Sequence, residues 1–373
     1  MTQTNRIDLQ RPDAPALAAP GPFAVGVETR QMINAAQVDV MAALAGRDER
    51  YDRLLMVELW YPAVAGTGQI VPYRTLLRDG RTALSLTGNA ARDAQAVAQD
   101  FPLVILSHGF PGNRMLMSHL GENLASKGYR VAAIDHADST YGDAAYLGGQ
   151  AFGSTLVNRP LDTAFVAGVL GGGVLGGGVL GGGRVAIIGY SMGGYGALVS
   201  GGARVARSAM TLERAGAVAA LWAQHCDAVA PPWLKAIVTF GPWGRQMGLW
   251  DAAGMAGLSV PLMVIAGSLD TVSGYDTGMR LIFDEAKVER HLLTFDGAGH
   301  NAGAPIPAPL ESWAPVPGMD FVPFDHYADR VWDTVRMNNI SQHYITGFLD
   351  RHLKGLNHAL QGDLPGIRWE SRP

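Results

Sequence analysis

Apolar positions along this chain form two kinds of pattern. Short unbroken runs, many of them β-branched, read as strands buried on both faces. They are Leu103-Val104-Ile105-Leu106, Val185-Ala186-Ile187-Ile188 and Pro261 to Gly267; Tyr129 to Ile134, Ala236 to Phe240 and, as the last, Arg290 to Phe295 read as further strands with polar positions among the apolar ones. Phe23 to Val27 and Leu54 to Tyr61 read as two earlier strands, the second ended by Pro62. Other stretches carry helical spacing. Met115 to Lys127 places Leu116, Leu120 and Leu124 on one face, with Gly128 positioned as a C-terminal cap. Gln342 to Leu353, with Tyr344, Ile345, Phe348, Leu349 and Leu353, predicts an amphipathic C-terminal helix. Strand and helix alternate through most of the chain. That order predicts an α/β fold with a mostly parallel sheet of about eight strands and helices on both faces.

Several segments depart from the alternation. Residues 1–20 are polar and then rich in Ala and Pro, which predicts a loose arm ahead of a single domain over 21–373. The stretch 204–235 has helical composition and reads equally as a cap over a pocket or as an ordinary helix covering the sheet. Residues 305–332 are rich in proline and aromatic side chains, Trp313, Phe321, Phe324, Tyr327 and Trp332 among them. Such a loop either walls a pocket or packs on the surface. Val-Leu-Gly-Gly-Gly recurs in tandem from Val169 to Gly183. It lacks the Gly-Lys-Ser/Thr end of a phosphate-binding loop and the first-strand position of a dinucleotide fingerprint, so it reads as a linker or helix end.

Composition narrows the possibilities. Of 373 residues, 48% are hydrophobic and 17% charged, which describes a globular chain with a sizeable core. A net charge of -4 gives no electrostatic reason to expect nucleic acid as a partner. Cys226 is the only cysteine, so there is neither an intrachain disulfide nor a thiolate metal cluster, and no metal is expected. No apolar run approaches the ~20 residues of a membrane helix. No basic segment followed by an apolar stretch opens the chain, so a cytoplasmic location is expected, although a processed secreted form has the same appearance.

The chemistry begins where the Val185 run meets Gly189-Tyr190-Ser191-Met192-Gly193. Gly-x-Ser-x-Gly after a buried strand and before a helix is the pattern of a nucleophile elbow, a sharp turn that lifts a serine hydroxyl above the sheet edge. Serine needs a base, and the base needs an orienting acid. Asp270 follows the Pro261 to Gly267 strand, and His300 follows the Arg290 to Phe295 strand inside a glycine-bordered loop. The order Ser191, Asp270, His300 is the one such a sheet requires. Asp135, Asp276 and Asp296 are the rival acids, read as a structural pair, a solvated helix start and a turn former. His108, His119, His136, His225 and His326 are the rival bases. A tetrahedral intermediate also needs backbone N–H donors. Met192 and Phe110 are expected to supply them, the latter from His108-Gly109-Phe110-Pro111-Gly112, where Pro111 has no N–H to offer. Phe110, Tyr190, Trp243 and Trp313 are the candidate substrate contacts; Met247 and Trp250 share the ambiguity of Trp243.

Leu106-Ser107-His108-Gly109-Phe110 and Leu124 to His136 resemble the plasma-type platelet-activating-factor acetylhydrolases. They are also similar to bacterial dienelactone-hydrolase-like and polyester-hydrolase (cutinase-like) enzymes, whose N-terminal strands resemble Pro20 to Val27 and Val57 to Pro62. The resemblance implies an α/β-hydrolase fold, no cofactor, and hydrolysis of carboxylic esters, often with short acyl groups. Two departures stand out. The acetylhydrolases take their acid from the preceding strand, where this chain has Phe240-Gly241-Pro242 and no carboxylate; Asp270 follows the polyester-hydrolase arrangement. The secreted polyester hydrolases carry a signal and usually a disulfide, which this chain lacks, so a small soluble ester is the expected substrate. Thioester, amide or lactone hydrolysis, acyl transfer, and a non-catalytic binding role on the same scaffold are the alternatives.

Overall fold

The computed structural model describes residues 4–149, 151–171, 183–209, 216–360 and 364–373. Its principal sheet contains β1 (Ala24–Val38), β2 (Arg50–Ala63), β3 (Leu103–Ser107), β4 (Arg130–Asp135) and β5 (Val185–Tyr190). It continues with β6 (Leu234–Phe240), β7 (Leu262–Gly267), β8 (Arg290–Phe295) and β9 (Ile367–Arg372). Spatial order is β9-β8-β7-β6-β5-β3-β4-β2-β1, and the two-residue strands Ala91–Arg92 and Gln69–Ile70 extend the β1 edge to make eleven strands. The six strands from β3 to β8 run parallel, while β1, β2 and β9 pair antiparallel.

The unbroken apolar runs have a direct structural cause. Successive side chains of a strand point to opposite faces, so a strand covered on both sides must be apolar at every position. In β5, Ala186 and Ile188 enter one core, and Val185 and Ile187 enter the other. Helices α1 (Ser118–Ser126) and α5 (Thr334–Leu349) cover the first face through Leu120, Leu124, Ile340, Tyr344 and Phe348. Helices α2 (Phe152–Gly171), α3 (Met192–Ser200) and α4 (Gly216–Cys226) cover the second through Val157, Val166, Leu198, Val218 and Trp222.

Three expectations change, and one left open is decided. Arg290 to Phe295 is not the last strand, because Ile367–Arg372 pairs beside it, Leu293 opposite Trp369. That segment alternates Arg, Trp, Glu and Ser, a half-exposed edge with no apolar run to betray it. The C-terminal α-helix begins at Thr334 rather than Gln342 and ends at Leu349, its first turn capped by the Asp333 carboxylate accepting from Arg336 N–H at 2.8 Å. Residues 4–20 are packed rather than loose. Asn5–Arg6 joins Ala83–Thr87 and Tyr73–Leu76 in a small sheet, Ala18 is fully buried, and the Lys127 ammonium donates to the Leu17 carbonyl. Within 204–235, the described residues of α4 pack on α2 and on the short helix Val40–Leu44, on the second face of the sheet. Most of the Val-Leu-Gly-Gly-Gly repeat, residues 172–182, lies outside the described residues.

Candidate active site

Ser191 sits between β5 and α3 with φ 53° and ψ -112°, a conformation that side chains other than glycine rarely hold. Neighbouring backbone imposes it. The Ser191 N–H donates to the Phe240 carbonyl at 2.8 Å, and the Ser191 carbonyl accepts from Tyr195 and Trp243, each at 3.1 Å. A Cβ on Gly193 would lie 2.0 Å from the Ser107 carbonyl oxygen, so only glycine lets the helix start this close to β3.

His300 and Asp270 meet across the ends of β8 and β7. His300 Nδ1 lies 2.8 Å from Asp270 Oδ2, and the Asp270 carboxylate is wholly shielded from solvent. The other carboxylate oxygen accepts from the N–H groups of Val272 and Ser273 at 2.8 and 2.9 Å. With Oδ1 occupied in this way, Oδ2 is left to orient the imidazole. Gly241, at φ +47°, makes the space: a Cβ there would stand 3.1 Å from the ring and 3.2 Å from the carboxylate. Tyr190 stacks obliquely on His300, ring centroids 5.2 Å apart, and its hydroxyl donates to Asn301 Oδ1 at 3.0 Å. Burial, with the Asp270 charge beside it, raises the Tyr190 pKa further and keeps the phenol protonated.

Ser191 and His300 line one cavity of about 710 Å³ together with Gly109, Phe110 and Tyr190. The proline-rich loop supplies another wall through Phe321, Phe324, His326 and Val331. Of the expected substrate contacts, Phe110 and Tyr190 face this cavity. Trp313 is 63% exposed and leans on Phe324, and Trp243 packs edge-on against Phe152, so neither borders the cavity directly. Trp250 is buried against Tyr195, and Met247 is exposed. Among the rival groups, Asp135 is tied to Arg114, Asp276 is exposed and Asp296 pairs with Arg368. His119, His136, His225 and His326 are buried; of these only His326 reaches the cavity.

Sequence reasoning missed what stands behind the Phe110 loop. Arg159, on α2 and 1% exposed, donates to the His108 carbonyl at 2.5 Å, the Gly109 carbonyl at 3.3 Å and Ser139 Oγ at 2.8 Å. These two successive carbonyls hold the loop just before Phe110, which lines the cavity with Ser191. Burial pushes the Arg159 pKa down to about 9, partly offset by Asp162. Asp162 itself is held bidentately by Arg53 at 2.7 and 2.9 Å and contacts His136 Nδ1 at 3.0 Å. His136 in turn reaches Ser107 Oγ at 2.9 Å through Nε2, and its N–H donates to His108 Nε2 at 3.2 Å. Burial acts to raise the Asp162 carboxyl, but Arg53 and His136 outweigh it and hold it at about 2. The available signal was two charges, Arg159 and Asp162, on one turn of a helix whose other residues are largely apolar.

The doubly covered parallel sheet with a serine elbow after β5 has the architecture of the α/β-hydrolase fold. Residues 16–151 match the family model of platelet-activating factor acetylhydrolase, isoform II. The chain is similar in structure to a ferulic acid esterase from Streptomyces cinnamoneus, with a TM-score of 0.69 at 21% identity over 98% of this chain and 99% of that one. No curated protein matches the chain. No described helix is long and apolar enough to cross a membrane, and no described group of His, Cys, Asp and Glu side chains is arranged to hold a metal.

Proposed function

We propose that this protein is a serine carboxylic-ester hydrolase working through a covalent acyl-enzyme on small soluble esters. The observation that carries the reading is the 2.8 Å contact of His300 Nδ1 with a buried Asp270, in the cavity that also exposes Ser191. In this reading Asp270 fixes the tautomer with the proton on Nδ1, leaving Nε2 to take the Ser191 proton as Oγ attacks the ester carbonyl. The N–H groups of Met192 and Phe110 receive the oxyanion. Met192 opens α3, so its N–H has no carbonyl a turn earlier in the helix to bond. Collapse expels the alcohol, protonated by the imidazolium; water then repeats the sequence and frees the acid. No cofactor enters any step.

A fluorophosphonate probe should label Ser191, and Ser191→Ala should abolish both labelling and hydrolysis of p-nitrophenyl acetate while leaving the melting temperature near wild type. Retained turnover in that variant rejects the assignment. A more specific substrate reading, an aromatic acyl group of the kind named for the Streptomyces cinnamoneus esterase, is favoured by the aromatic wall of Phe110, Phe321 and Phe324. Ethyl ferulate turned over with a higher kcat/KM than ethyl acetate supports it; the reverse order leaves short acyl groups as the preferred class. Matched thioester, amide and lactone substrates separate the ester reading from its relatives, since all share the acyl-enzyme.

A further inference from the structure

A second cavity, of about 340 Å³, lies at the opposite edge of the sheet from Ser191. Its walls include Val25 and Ala63, from the start of β1 and the end of β2. Because β2 is antiparallel to β4 with Trp60 opposite Val131, Ala63 lies past the N-terminal end of the parallel strands. Ser191, Asp270 and His300 follow the C-terminal ends. The cavity therefore belongs to a different place in the fold from the one already described.

Its volume sits at the small end of the ~300–1,000 Å³ common for ligand pockets. Phe23, Val25, Ala91 and Ala94 form an apolar body, and Val64 and Ile70, 40% and 63% exposed, are the large apolar residues of its more open side. His119, from α1, is 2% exposed and borders the cavity, yet neither ring nitrogen makes a hydrogen bond of ordinary geometry with any described residue. The Gly303 backbone engages one ring nitrogen, which leaves the other buried without a partner, and such a group calls for an explanation. Burial pushes the His119 pKa down to about 3, with the Gly303 backbone acting the other way, so the ring is neutral and keeps one nitrogen as an acceptor.

The charged lining selects further. Asp8 and Glu122 both border the cavity, and no described lysine or arginine does, so an anion finds no charge partner there. A cation gains little, because both carboxylates are already engaged. Asp8 holds Arg6 at 2.5 Å, and Glu122 accepts from the Tyr73 hydroxyl at 2.5 Å and from the N–H groups of Asn89 and Ala90 at 2.8 and 3.1 Å. We infer that this cavity binds a small uncharged alcohol, its hydrocarbon part against Val25 and Ala91 and its hydroxyl donating to His119. The inference does not depend on Ser191 being a nucleophile.

Methyl-labelled protein titrated with 1-hexanol tests it. Signals of Val25, Val64 and Ile70 should shift and saturate, and hexanoate should leave them in place. Ala91→Phe, which fills the apolar body, should remove the response. His119→Leu should weaken binding about tenfold, the effect of one hydrogen bond. A response confined to Leu269 and Val331, which border the Ser191 cavity, overturns the proposal, as does no saturable shift at all. Equal binding of hexanoate, or hexanol binding undiminished in Ala91→Phe, overturns it as well. Should Ala91→Phe fail to fold, the pattern of shifted methyls in the unsubstituted protein decides alone.

Discussion

The Arg159 guanidinium lies in the core with carbonyls and a hydroxyl, rather than a carboxylate, as its hydrogen-bond partners. Burying a charge is costly unless many donors are satisfied. What this one holds is the loop just before Phe110, which lines the cavity with Ser191. On the proposal that the Phe110 N–H receives the oxyanion, Arg159→Met should lower kcat about 10- to 100-fold with little change in KM, since a displaced donor acts on the transition state and not on ground-state binding. Equal kcat in the two proteins, measured on p-nitrophenyl acetate, would remove Arg159 from this role. Asp270→Asn keeps the shape but offers the imidazole the wrong hydrogen-bond pattern, and should cost on the order of 10⁴-fold in kcat. If a stopped assay shows a loss below about tenfold, another acid orients His300.

At the scale of elements, α1 joins three parts of the chain through one lysine. Lys127 donates to the Leu17 carbonyl, to Asn123 Oδ1 at 2.6 Å and to Thr346 Oγ1 at 2.9 Å, linking the N-terminal segment, α1 and α5. Lys127→Met leaves those buried acceptors unpaired, at about 1–3 kcal/mol in total stability. Hydrogen exchange should quicken first at Ala18 and Gly21, whose N–H groups bond within or next to this junction. Uniform exchange across the molecule would show instead that the segment unfolds only with the whole. This junction also explains why residues 4–20 escaped the sequence reading. Their Ala and Pro content carries no helical or strand period, and their order comes from contacts with residues about eighty or more positions away.

Across the whole molecule, buried imidazoles weigh on the acid side of stability, His119 and His136 among them. His119 and His136 are both pushed down to about 3, in each case chiefly by burial, with Arg159 adding to the effect at His136. In the unfolded chain they take up protons near 6.5. Between those values the unfolded state binds more protons than the folded one, so stability falls as pH drops from about 6.5 toward 3. Each group contributes up to ~1.4 kcal/mol per pH unit in that window. Urea unfolding at pH 7 and pH 5 should show the fall, and His119→Leu should flatten it by roughly one proton's worth of slope. An unchanged slope in that variant would mean His119 is protonated in the folded state.

Much of the half of the sheet that carries the candidate site was legible in the chain itself. The six parallel strands are mainly apolar because both of their faces are covered, and each candidate group follows such a strand, in the order Ser191, Asp270, His300. Elbow geometry was legible too, because a serine flanked by glycines after a strand has few other backbone solutions. Local pattern does not record what depends on distant partners. The pairing of β9, the packing of residues 4–20, and the support of the Phe110 loop by Arg159, Asp162 and His136 all join segments far apart in sequence. Which side of the sheet the described part of 204–235 covers, and that Phe324 rather than Trp313 borders the cavity, were likewise settled by packing. Strand and helix periods report only which face of an element is buried; what buries it is decided when the sheet closes and the loops compete for the space left at its two edges.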